Sequence, residues 1–166
     1  EPGSLEPVNR GFQHTKALVD GDADVATLAF YNFEVVEARH GGHPAGFFAL
    51  RDWGVPDFCQ LVLTTSASNL DRDRELYAAF LRVLRRGLDV IHQEPAEARR
   101  IYHERTATSP EDALLAAIFD ATVPCFTFDL GLPELYFERL GRWMVERGLI
   151  TRTVAPAAVW SNALCY

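Results

Sequence analysis

Short apolar runs punctuated by turn residues dominate the first part of the chain, and a helical period dominates the rest. Val8 to Phe12 is a brief candidate strand. Asp24 to Ala29 is an apolar run bounded by turn residues, the pattern of a fully buried strand. Phe47 to Leu50 and Gln60 to Thr65 repeat that pattern. Between them, Asp52-Trp53-Gly54-Val55-Pro56-Asp57 has strong turn chemistry. Two short helical stretches interleave with these runs: Thr15 to Val19, stopped by Gly21, and Phe33 to His40, ended by Gly41-Gly42.

Beyond Thr65 the spacing changes. Asn69 or Asp71 caps a predicted helix that runs to about His92. Its apolar positions Leu76, Phe80, Leu84, Leu88 and Ile91 fall on one face, and Arg82, Arg85 and Arg86 lie off it as a solvated face. Pro95 suits the first turn of the next helix, Ala96 to about Arg105. Ser109-Pro110-Glu111-Asp112 starts a third, to about Ala121, and Pro133-Glu134 opens a fourth, Leu135 to Arg147, ended by Gly148. Strands with short helices first, then mainly helices, predict an α/β chain rather than two independent domains. Three or four strands make a thin sheet, so the chain reads as part of a larger one.

Composition narrows the class. The chain has 166 residues, 48% hydrophobic and 23% charged, which is globular. Its net charge of -7 argues against a nucleic-acid partner, which needs a basic patch. Lys16 is the sole lysine, so a mechanism through a Schiff base has a single candidate. Cys59, Cys125 and Cys165 form no CxxC pair and read as small buried residues; no metal site is expected. No run is long enough to span a membrane, and no signal peptide stands at the start. The first residues read as an extended lead-in or a cut point. No Ser–His–Asp order, P-loop or GxGxxG appears, which fits a non-enzyme; no catalytic residue and no cofactor are expected.

The candidate chemistry lies between Val19 and Gly42. There the apolar run ends in Phe30, Tyr31, Asn32 and Glu34. Aromatic faces stack on a flat heterocycle while an amide and a carboxylate read its edge. The Glu34 carboxylate accepts from N–H donors on the edge of such a ring; the alternative is a place in the first turn of a helix, where negative charge meets the dipole. Tyr31 and Phe30 are stacking faces or core aromatics. Asn32 is read first as an N-cap and second as a ligand contact. Trp53 either closes over a ring or pins its loop. Cys125 lines a cleft or packs, with packing preferred. His40, His43 and Glu37 lack the HExxH spacing and read as a solvated helix end. His14, His92 and His103 have no partner visible in the sequence.

Four stretches, in order, carry a resemblance. They are Leu18 to Asp24; Phe30-Tyr31-Asn32-Phe33-Glu34, with Tyr31 where a Trp is frequent; Trp53-Gly54-Val55-Pro56-Asp57-Phe58; and Trp143 to Ile150 followed by Ser161-Asn162-Ala163-Leu164. Together they resemble the thiamine-pyrimidine-precursor binding proteins, the ThiY-like solute-binding components of ABC importers, over their carboxy-terminal half. The resemblance implies a periplasmic-binding-protein-like (type II) architecture with the ligand between two lobes and hinge-like closure. Residues 1–60 are then part of the second lobe and one cleft wall, and residues 61–166 return, mainly helical, to the first lobe. The implied ligand is a formylaminopyrimidine or hydroxymethylpyrimidine. The implied partners are an ABC permease and an amino-terminal half that carries the other wall. The implied location is periplasmic or extracellular, lipid-anchored or free. Sulfonate and riboflavin binders share the scaffold. So do pyrimidine synthases that use pyridoxal phosphate, for which this chain has Lys16 alone.

Overall fold

A computed structural model describes residues 2–59 and 61–165. Among the described residues seven α-helices follow one another: α1 (His14–Val19), α2 (Glu34–His40), α3 (Ala67–Arg72), α4 (Arg74–Gln93), α5 (Pro95–Thr106), α6 (Ala113–Thr122) and α7 (Glu134–Glu146). Single 3-10 turns lie at Pro2–Ser4, Leu50–Trp53, Val123–Cys125 and Pro156–Ala158. Among the described residues there is no β-strand.

The predicted strands therefore need correcting. Val8–Phe12, Asp24–Ala29 and Phe47–Leu50 are irregular or turning chain, as are residues 61–65; Gln60 lies outside the described residues. The physical reason is that a helix satisfies its own backbone, whereas a strand is defined by a partner. Among the described residues none of these segments finds one, and their side chains are not buried either. Val25 is 67% exposed, Leu28 77% and Leu61 85%. Leu28 also sits at φ 62°, a left-handed conformation that no strand tolerates. The α/β expectation is accordingly not met within the described residues, which fold as helices and irregular connections.

The helices match the apolar period more closely. Local chemistry explains their limits. Ser66, not Asn69 or Asp71, caps α3: its hydroxyl accepts from the Asn69 N–H at 3.2 Å. The long predicted helix is interrupted at Asp73, which precedes α4. Asp112 caps α6, accepting from the Leu115 N–H at 3.0 Å. Gly42, at φ 83°, ends α2, and the His43 N–H there returns to the Ala38 carbonyl at 2.9 Å. Gly148, at φ 69°, does the same after α7.

The chain divides into two compact units. The first comprises Glu1–Phe47 and Pro95–Phe126 and holds α1, α2, α5 and α6. Here α2 packs against both α1 and α6. Ala17, Val35, Ala38 and Ala98 are its buried apolar residues, so its core is built from small side chains. His103 is buried with them and meets the Thr108 hydroxyl through Nδ1 at 2.9 Å. The second unit comprises Phe48–Glu94 and Thr127–Tyr166 and holds α3, α4 and α7. Its α4 stripe is buried at one end only: Leu88 is 5% exposed, but Leu76 is 66% and Phe80 52%. Asn162 ties the late segment down by accepting from the Leu132 N–H and donating to the Leu132 carbonyl, at 3.0 and 2.9 Å.

Candidate functional site

The aromatic–amide–carboxylate run lies where the chain enters α2, in the first unit. Glu34 is the first residue of that helix, so its carboxylate sits among unpaired N–H groups. Its Oε2 accepts the Phe30 N–H at 2.7 Å, closing the turn between residues 30 and 34. Its Oε1 lies 3.1 Å from His14 Nδ1 on α1, and both side chains are largely buried. One turn later, Glu37 accepts from the Thr15 hydroxyl of α1. These two pairs lock α1 to the start of α2 and fix where the Glu34 carboxylate points. A carboxylate offers about four lone-pair sites, so two contacts leave acceptor capacity for a ligand.

Tyr31 stacks on Phe47, with ring centroids 5.2 Å apart and an interplanar angle of 21°. The two rings are 51% and 54% exposed, so this is an open pair and not a core contact. The Tyr31 hydroxyl lies 3.0 Å from Cys125 Sγ, just past α6. The Cys125 thiol in turn donates to the Ala121 carbonyl at 3.4 Å. Phe30, 38% exposed, lies beside this pair in sequence.

Asn32 does not cap α2. Phe33 holds the N-cap position and makes no side-chain cap bond. The Asn32 amide instead donates from Nδ2 to the Thr122 hydroxyl on α6, at 2.9 Å. The cap expectation failed because a tertiary partner, 90 residues away in sequence, took the side chain first. Trp53 belongs to the second unit, 70% exposed and edge-on to Phe48 at 5.9 Å. Cys125 is exposed, so the packing preferred for it is not what the structure has.

The residues that sequence reasoning missed are His14, Phe47 and Thr122. Each joins the site through a contact across at least 16 residues, of which a local pattern carries no trace. Phe47 alone had a signal, as an aromatic bordering a turn-rich loop.

A hollow of about 580 Å³ runs along α1 and the end of α2, bordered by His14, Lys16, Asp20, Glu37, His40 and His43. Among the described residues, no three His, Cys, Asp or Glu side chains are placed to hold a metal ion. Lys16 pairs with Asp20 on an exposed face, and that hydrogen bond and charge hold its pKa above the ordinary lysine value. An amine kept protonated in this way is a poor nucleophile. Among the described residues, no helix is long and apolar enough to cross a membrane.

The family described as NMT1/THI5 like matches residues 1–98. That stretch contains Phe30, Tyr31, Asn32, Glu34 and Trp53; α6 lies beyond it. The formylaminopyrimidine-binding protein of Halalkalibacterium halodurans is 31% identical over 91 residues. The match covers 55% of this chain and 28% of that relative, so the aligned stretch is well under half of the relative's length. No solved structure matches the chain.

Proposed function

Because the chain belongs to the NMT1/THI5-like family, we propose that it is part of a solute-binding protein whose ligand is a pyrimidine precursor of thiamine. The observation that carries this reading is the open Tyr31–Phe47 pair in the same short stretch as the fixed Glu34 carboxylate. Flat aromatic faces hold a ring of any kind; an anchored acceptor selects one that carries an amine. A relative named for binding formylaminopyrimidine supports the same ligand class. Delivery to an ABC permease, on the outer side of a membrane and within a two-lobed architecture completed by further polypeptide, belongs to the same proposal. The many exposed apolar side chains of residues 47–63 suit such a completion.

The chain's role is to hold and orient, with no covalent step. The sole lysine is exposed and paired with Asp20, so nothing here favours a pyridoxal-dependent enzyme. Isothermal titration of the protein with formylaminopyrimidine, hydroxymethylpyrimidine, an alkyl sulfonate and riboflavin tests the reading. Binding of the two aminopyrimidines, well ahead of the others, is expected. No binding of either pyrimidine at millimolar concentration would sink it.

A further inference from the structure

We propose that Thr122 is a positioning residue that sets which hydrogen-bonding edge the site accepts, by holding Asn32 as an acceptor. This deepens the pyrimidine reading above and rests on it. A threonine hydroxyl has one proton to donate. Thr122 gives that proton to the Ile118 carbonyl, one turn back in α6, at 2.7 Å. Its oxygen can then meet Asn32 only as an acceptor. The contact at 2.9 Å is therefore made by the Asn32 Nδ2–H group.

An amide has two unlike ends, and committing one fixes the other. With Nδ2 held by Thr122, Oδ1 has no hydrogen-bond partner among the described residues. Asn32 thus offers a carbonyl oxygen two residues before the Glu34 carboxylate, itself an acceptor. Two acceptors call for a ligand edge rich in N–H donors. An aminopyrimidine has such an edge. A sulfonate, which carries acceptors only, does not, and a 4-oxo pyrimidine puts an acceptor where the amine stood, keeping a single donor at the neighbouring ring N–H. A site whose polar groups are left unpaired rejects the mismatched analogue strongly. Thr122 lies on α6, outside the family-matched stretch, so this control is supplied by a part of the chain that the match does not reach.

The test compares two probes, 4-amino-5-hydroxymethyl-2-methylpyrimidine and its 4-oxo counterpart, by calorimetry. The native protein should prefer the amino compound by roughly tenfold or more, the scale of one or two hydrogen bonds. Thr122→Val, which keeps the shape and removes the hydroxyl, should collapse that preference toward unity, because the amide is then free to turn over. Thr122→Ser should restore it. A merely structural role would lower both affinities together and leave their ratio alone. The inference is overturned if the native protein binds both probes equally, or if Thr122→Val keeps the native ratio. Failure of the native protein to bind either probe would instead overturn the pyrimidine reading itself.

Discussion

Removing the Glu34 carboxylate separates its two jobs, at the helix start and at the ligand. The carboxylate makes two contacts, to the Phe30 N–H at 2.7 Å and to His14 Nδ1 at 3.1 Å. Hydrogen bonds to a charged group contribute about 1.5–3 kcal/mol and neutral ones about 0.5–1.5, so Glu34→Gln, which keeps an acceptor, should cost about 1 kcal/mol of stability. Glu34→Ala loses both contacts and the favourable charge at the first turn of α2. Phe30 is partly exposed, so water takes over its freed N–H and limits the loss to roughly 2 kcal/mol. For a chain of this length that is a fall in Tm of about 4–8 °C by thermal unfolding. Binding is the second readout. If the carboxylate accepts from a ligand amine, Glu34→Gln should weaken the aminopyrimidine by roughly 1–3 kcal/mol, between fivefold and a hundredfold or more in Kd. The Gln variant is the informative one, because it stays folded. An unchanged Kd with the stated loss of stability would make Glu34 a helix-start fixture and nothing more. Unchanged stability in the Ala variant would refute the reading of the two contacts.

Two further predictions concern the scaffold. Ala107 follows α5 at φ 52°, where a side chain costs roughly 1–2 kcal/mol; Ala107→Gly should gain about 0.5–1 kcal/mol after the glycine entropy is subtracted, read by denaturant unfolding, and a loss would contradict it. Burial, with smaller contributions from Cys59 and Asp57, pushes the Tyr136 phenol up to about 12 from its usual 10, so the folded state holds that proton more tightly than the unfolded chain. Its stabilising effect is complete below pH 10 and is lost between about 10 and 12, so the native Tm should fall faster than that of Tyr136→Phe over this window; parallel curves would refute it.

The helices were legible because their causes are local. The apolar spacing of α4, the Asp112 cap of α6 and the Gly42 stop of α2 are all written within a few residues of where they act. The strands were not, because Asp24–Ala29 and Phe47–Leu50 become strands only with something to pair against. An apolar run states that a segment wants burial and not which layer will cover it. The site divides in the same way. The aromatic–amide–carboxylate stretch was visible as a motif, yet the groups that orient it are distant in sequence: His14 for Glu34, Phe47 and Cys125 for Tyr31, and Thr122 for Asn32. Asn32 shows the consequence. Local rules make it a cap, and a threonine 90 residues away takes its amide instead.

The most direct test of the central claim is a crystal structure of the protein with formylaminopyrimidine bound. The pyrimidine ring should lie stacked on the Tyr31–Phe47 pair, its exocyclic amine within hydrogen-bond distance of the Glu34 carboxylate. A pyrimidine held elsewhere, with Tyr31 and Glu34 untouched, would contradict it.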